Sequence, residues 1–301
     1  MGTMREAIKK VCITGGTHGN ELTGVYLVHK FQANPALVRR DSFETLCMHT
    51  NVGAIKQCTR YVDKDLNRTF TLEALDDHTL TAYEDTLAKV INQRIGPKGS
   101  ATPTVDLVID LHTTTSDMGL SICVSTQDPF TWQAIAYAQE QIPELHVFRW
   151  NGDTEDASFV SSIPPHGITI EVGPIPQGVL RADVFFDTER VVHALLDYVQ
   201  LHNQQQARIY TEVEIYDHVE LIDYPRNAEG EIRAMLHPDI QDNGYTKVKK
   251  GDPLFITLEG KSICYEGETP RYVLFANEAA YYEKHFSMCL TEKKTIQLQT
   301  D

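Results

Sequence analysis

Across the first two hundred residues, short apolar or β-branched runs alternate with longer stretches whose apolar positions recur at helical spacing. This pattern predicts a β-sheet with helices packed on its faces. KVCITGG (10–16) reads as a strand entering a glycine-rich turn, and ELTGVYLVHKFQAN (21–34) as the helix that follows. FETLCMHTN (43–51) is a second strand, and the spacing of Leu75, Leu80, Tyr83, Leu87, Val90 and Ile91 suits one or two helices between 74 and 95. VDLVIDLH (105–112) is apolar enough to be a buried strand; GLSICVST, LHVFRW and GITIEVG follow as further strands, and TERVVHALLDYVQLHNQ (188–204) is an amphipathic helix.

After HNQQQA (202–207) the texture changes. EVEIYDHVELIDYP, GDPLFITLEG, KSICYEG and RYVLFANEAA are short alternating strands set between Gly, Pro and Asp turns. The expected organisation is an α/β catalytic domain over 1–206, with a mixed sheet flanked by helices, and a smaller β-rich C-terminal domain over 207–301 that covers the active site.

Composition agrees with a folded chain of 301 residues, 42% of them hydrophobic, which is long enough to bury its core without disulfides. With 27 basic against 42 acidic residues the formal charge is −15, which repels nucleic acid and anionic membranes, so neither is expected as a partner. An anionic substrate would need local arginines. The six cysteines show no CxxC spacing and no secretory or membrane-spanning segment accompanies them, so a soluble cytoplasmic protein is expected. Gly2 follows Met1, but Glu6 stands where a myristoylation motif requires Ser or Thr. The sequence leaves homo-oligomerisation open.

In GGTHGNE, His18 and Glu21 lie three apart just past a strand end, where both side chains can converge. HxxE alone is most often a solvated or capping pair. Here Gly15, Gly16 and Gly19 free the backbone, and the carboxyl end of a strand is where open α/β sheets place their sites. His112 ends a strand so apolar that its imidazole needs a partner; alone, it reads as a core histidine bonded to backbone. Together the three form a His₂Glu set, which leaves the fourth position of a zinc ion open, as catalysis requires. Asp110, two residues before His112 on the same sheet face, suits either a carboxylate that orients a ligand or a strand-end cap. A phosphate loop is rejected, because the glycine turn lacks both GK[ST] and GxGxxG.

Glu171 is the single acid of the apolar strand GITIEVG, where burial would raise its pKa and a nearby dication would lower it. Such a carboxyl is a candidate general base, or else a strand-end partner for an arginine. CTRYVDKDLNRTF (58–70) holds Arg60, Asp63, Asp65, Asn67 and Arg68. Its arginines offer charged forks for a substrate carboxylate or a developing oxyanion, and Asn67 adds a neutral donor; the alternative is a surface ion-pair network.

The motifs GGTHGNELTG, CTRYVDKDLNRTF, DLHTTTSDMG, IEVGPIPQGVLRAD and NEAAYYEK together resemble the aspartoacylase family, which includes aspartoacylase and aminoacylase-3, inside the broader zinc carboxypeptidase-like fold. The resemblance runs from about Val11 to about Glu283. It implies one Zn²⁺ held by His18, Glu21 and His112, an oxyanion contact from Arg60, α-carboxylate binding by Asn67 and Arg68, a base and proton donor in Glu171, and a substrate contact from Tyr281 of the C-terminal domain. The implied activity is hydrolysis of the amide of N-acyl-L-amino acids, first of all N-acetyl-L-aspartate to acetate and L-aspartate. The alternatives are deacylation of neutral or aromatic N-acetyl amino acids as in aminoacylase-3, a succinylglutamate-desuccinylase-like activity, or an inactive metal-binding homologue.

One feature departs from the family pattern. Aspartate-preferring members carry a Tyr-x-x-x-Arg pair before the IEVGP strand; the corresponding stretch here, DASFVSSIPPHG, has Ala157 and Ser161 near those places. Arg149 or Arg181 would then have to supply the missing charge from another direction.

Overall fold

The computed structural model describes residues 6–151 and 156–299. The elements in chain order are β1 (Lys10–Gly15), α1 (Leu22–Ala33), β2 (Glu44–His49), α2 (Val52–Gln57), α3 (Leu72–Asp76), α4 (Tyr83–Ile95), β3 (Leu107–Thr113), β4 (Gly119–Val124), α5 (Pro129–Gln141), β5 (His146–Arg149), β6 (His166–Gly173) and α6 (Ala182–Asn203). There follow β7 (Glu212–Ile222), β8 (Ala234–Leu236), β9 (Lys247–Val248), β10 (Pro253–Thr257), β11 (Ser262–Cys264), β12 (Arg271–Leu274) and β13 (Met288–Gln297).

Ten strands form one mixed sheet in the order β2-β1-β3-β6-β4-β5-β7-β13-β12-β9. β1, β2, β3 and β6 are mutually parallel, whereas β4 runs antiparallel to β6. The apolar runs of β1 and β3 are buried on both faces, as parallel strands between layers must be, whereas β6 buries Ile168, Ile170 and Val172 and leaves the alternate face half-open. One large core cluster joins these strands to α1, α5 and α6.

The C-terminal β segment shares the large sheet. β7 pairs parallel with β5, and β13 pairs with β7 along its whole length, so both extend the large sheet. Only β8, β10 and β11 make a separate three-stranded sheet, packed on Tyr224, Leu236, Leu254 and Phe255. The region from 74 to 95 resolves into the end of α3 and all of α4. The periodicity does not bring out α5. Nearly half of its PFTWQAIAYAQEQ is Ala or Gln, so its apolar face is thin, and the helix is set by Asp128, whose carboxylate accepts from Thr131 N at 2.7 Å, with Pro129 at its first position.

Close backbone approach brings the first motif to the third. A Cβ on Gly15 would lie 2.3 Å from the Gly24 carbonyl oxygen, and one on Gly24 would lie 2.7 Å from that of Leu111. α1 therefore sits directly on β1 and β3, with the turn 16–21 beside the end of β3.

Candidate active site

Three side chains from two strand ends meet at one point. His18 lies in the turn after β1, Glu21 is the residue that precedes α1, and His112 is near the end of β3; all three are buried. His18 Nδ1 is 2.6 Å from Glu21 Oε1, His112 Nδ1 is 2.9 Å from Glu21 Oε2, and the two Nδ1 atoms are 3.2 Å apart. One ligand atom from each residue lies within 4.8 Å of the other two.

The far side of each imidazole explains why the near sides converge. His18 Nε2 donates to Asp65 Oδ1 at 3.0 Å and His112 Nε2 donates to Asp110 Oδ2 at 2.7 Å. A carboxylate behind each ring holds the proton on Nε2 and turns the Nδ1 lone pair inward. Asp110 is itself held by Thr14 Oγ1 at 2.7 Å and Thr17 Oγ1 at 2.9 Å, so of its two sequence readings the structure realises the ligand-orienting one. Two imidazole nitrogens and a carboxylate this close in a buried place need either a shared proton or a cation between them. The N, N, O donor set fits a divalent metal such as zinc.

The second motif packs against this group. Arg60 places Nη1 3.4 Å from Glu21 Oε1 and Nη2 3.1 Å from Asp65 Oδ2. Asn67 Nδ2 is 3.2 Å from His112 Nε2, while its Oδ1 accepts from Val160 N at 2.9 Å. Asn67 therefore also anchors the wall 157–162, which sequence reasoning missed. Arg68 donates to the Asn67 carbonyl at 2.8 Å and lies over the Phe159 ring at 5.3 Å.

Glu171, in register with His112 on the neighbouring strand, faces the same cavity. Burial, the largest cause, lifts its pKa to about 8; Glu21 and Glu278 push the same way, while His112 and Arg60 pull it down. Tyr281 reaches the cavity from the short turn after β12, its ring 6.0 Å from the Arg60 guanidinium and stacked on Phe286 at 4.8 Å.

The cavity measures about 590 Å³. It touches His18, Arg60, Asn67, Arg68, His112, Glu171 and Tyr281, and Glu21 lies just beneath. Its floor is the face of β6 formed by Glu171, Thr169 and Gly167, a stretch of about 13 Å at ~3.3 Å per residue. Away from the polar end, the walls are Phe148, Trp150, Phe159, Phe275, Phe286 and Leu221. These come from separate elements, so no local motif announces them.

Neither arginine offered as a substitute charge faces this space. Arg149 is paired to Asp217 through two contacts of 2.8 Å, and Arg181 is bound to Asp183 and the Pro174 carbonyl at the surface. Neither lines the cavity. Ser161 does line it, with Oγ 3.1 Å from Thr169 Oγ1. Two more residues escaped the sequence reading although they stand in its last motif: Lys284, 3.1 Å from Asp65 Oδ2, and Glu278, buried on Thr115. All six cysteines are free thiols, and no helix among the described residues is long and apolar enough to cross a membrane.

Comparison with known proteins follows the same division of the chain. Residues 7–199 match the succinylglutamate desuccinylase/aspartoacylase catalytic domain, and residues 211–293 the AstE/AspA barrel-sandwich hybrid domain. The chain is 42% identical to a probable aspartoacylase of Trichodesmium erythraeum, over 97% of this chain and 99% of that one. It is 40% identical to the N-acyl-aromatic-L-amino acid amidohydrolase (carboxylate-forming) of Homo sapiens, over 97% and 93%. The crystal structure of murine aminoacylase 3 superposes with a TM-score of 0.92 at 36% identity, covering 98% of both chains. With its fold, its motifs and nearly its whole length in agreement, the chain belongs to the succinylglutamate desuccinylase/aspartoacylase family and is an amide-hydrolysing enzyme.

Proposed function

We propose that this protein is a zinc-dependent hydrolase of N-acyl-L-amino acids, releasing a carboxylate and the free amino acid. The observation that carries the proposal is the convergence of His18, Glu21 and His112 at the end of a cavity that Glu171 also faces. His18 Nδ1, His112 Nδ1 and the Glu21 carboxylate would hold the ion, with Asp65 and Asp110 fixing the two rings. Bound there, zinc supplies Lewis acidity for the acyl carbonyl and acidifies water. Glu171 takes the proton of the attacking water and returns it to the leaving nitrogen, a role suited to a carboxyl whose pKa is displaced toward neutrality. Arg60 stabilises the oxyanion, a guanidinium fixed by Asp65 and Glu21 before substrate arrives. Tyr281 closes the cavity over the substrate from the C-terminal side. The free thiols are consistent with a cytoplasmic setting.

Among the described residues the cations lining the cavity are Arg60, Arg68 and Lys284. Arg60 and Lys284 are both engaged by Asp65, which leaves Arg68, assisted by Asn67, for the α-carboxylate. No further arginine among the described residues lines this space, and the remaining walls combine aromatic side chains with aliphatic and uncharged polar ones such as Val124, Thr126 and Gln127. An unpaired substrate carboxylate buried there would cost several kcal/mol. Of the two substrate readings, N-acetyl-L-aspartate and a neutral or aromatic N-acetyl amino acid, this lining favours the second. Assay of the zinc-loaded enzyme on N-acetyltyrosine beside N-acetylaspartate tests it. A kcat/KM at least tenfold higher for N-acetyltyrosine is expected, a ratio reversed in favour of aspartate defeats the side-chain reading, and hydrolysis of neither defeats the activity.

A further inference from the structure

Asp65 is shared among several parts of the site. It is buried, and its two oxygens divide their partners. Oδ1 accepts from His18 Nε2 at 3.0 Å and from Asn67 N at 3.0 Å; Oδ2 accepts from Arg60 Nη2 at 3.1 Å and from Lys284 Nζ at 3.1 Å. The four partners come from the turn after β1, from Asp65's own loop and from the C-terminal segment that carries Tyr281. Asp65 thus touches a metal-binding ring, the oxyanion arginine and the closing segment at once.

Resting on the metal site proposed above, we propose that Asp65 is a positioning residue for the reaction: through Oδ1 it orients His18 toward the metal, and through Oδ2 it holds Arg60 and Lys284 in register with it. The simpler role is local, since Oδ1 also caps the short turn Leu66–Arg68 through Asn67 N. The two roles separate chemically. In Asp65→Asn the amide oxygen can keep the bond from Asn67 N, so the cap persists, whereas His18 Nε2 loses the carboxylate charge that fixes its ring. Its NH₂ group then faces two cationic donors, and Arg60 and Lys284 lose their acceptor.

The experiment measures zinc affinity by chelator competition, the thermal midpoint and kcat for wild type and for Asp65→Asn. The expected result is a chain that still unfolds cooperatively at a modestly lower midpoint, with zinc bound about 10–100-fold more weakly and kcat reduced at least tenfold, the usual scale for a group behind a metal-bound histidine. Affinity and kcat within twofold of wild type overturn the inference, because a cap alone would be preserved. Should Asp65→Asn fail to fold, Lys284→Met carries the test, for Lys284 is partly exposed and has no hydrogen bond or ion pair with a metal-binding residue among the described residues. Removing that cation leaves the Asp65 charge to His18 and Arg60, so zinc is expected to bind at least threefold more tightly. Loosened packing would give weaker binding, and unchanged or weaker binding overturns the link. A wild-type chain that takes up no zinc in the same titration defeats the metal site itself; normal uptake with unaffected variants defeats only the role of Asp65.

Discussion

The backbone N–H of Thr115 donates to Glu278 Oε2 at 2.7 Å, and this bond joins the loop after the metal-binding strand to the segment that delivers Tyr281. The same carboxylate oxygen accepts from Thr114 Oγ1 and Thr115 Oγ1, and Oε1 accepts from Ala280 N at 3.0 Å. A buried carboxylate with several donors is a fixed hinge pin, because losing it strands every one of them. Glu278→Ala is expected to lower stability by about 1–3 kcal/mol, the usual cost of donors left unpaired. Because it contacts no metal-binding residue, zinc content measured by atomic absorption should stay stoichiometric while kcat/KM falls at least tenfold. Lost zinc would show that the segment supports the metal centre instead of the substrate.

How much of this was legible beforehand depended on whether the signal was local. His18 and Glu21 share one turn, Asp110 and His112 share one strand face, and Glu171 is a lone acid in an apolar run, so each could be read from neighbours in sequence. The sheet's continuity could not. β13 hides its alternation behind Glu292, Lys293 and Lys294, whose charges are matched across the sheet where Lys293 meets Glu214 at 2.8 Å and Lys294 meets Asp217. Asp65 was visible only as one charge in a crowded loop; its two distant partners, His18 and Lys284, meet it only in the fold. The aromatic walls lack a motif for the same reason.

Glu171 makes a pH prediction with a definite sign. In the metal-free protein its pKa stands at about 8 against an ordinary 4.5, so between these values the folded chain holds a proton that the unfolded chain has released. Stability from this group is therefore complete below about 4.5 and is lost as pH rises through about 8. Glu171→Gln removes the dependence. With zinc chelated, its melting temperature should exceed that of wild type at pH 8.5, and the gap should close by pH 5. With zinc bound, the same variant should retain the metal and lose about 10²–10⁴-fold in kcat, the range for removing a general base. Full activity would contradict the assigned role.

Ser161 lines the cavity near the place the aspartate-preferring pattern gives its arginine, with its hydroxyl 3.1 Å from Thr169 Oγ1. Ser161→Arg would place a guanidinium over the cavity floor, a partner for a side-chain carboxylate and a burden on aromatic walls. The ratio of kcat/KM for N-acetylaspartate over N-acetyltyrosine is expected to rise at least tenfold, or about 1.4 kcal/mol of differential transition-state binding. An unchanged ratio would mean that side chains are read elsewhere in the cavity.

The wall that carries Ser161 depends on a missing side chain below it. A Cβ on Gly167 would lie 1.7 Å from the Ser161 carbonyl oxygen and 2.7 Å from its carbonyl carbon, so the backbone of 160–162 rests directly on β6. Backbone cannot swing aside as a long side chain can. Asn67 holds the same wall through Val160 N, which ties its height to the metal site. Gly167→Ala must lift the wall or bend the strand, at a cost of about 1–3 kcal/mol. Lifting the wall separates Phe159 from Arg68, whose guanidinium now lies 5.3 Å from that ring, so the cation proposed for the substrate carboxylate loses its support. The expected phenotype is a lower melting temperature and a several-fold higher KM for N-acetyltyrosine, with zinc affinity unchanged because β6 supplies no metal-binding residue. Should melting temperature and KM both match wild type, the contact between Gly167 and Ser161 does not set the height of the cavity.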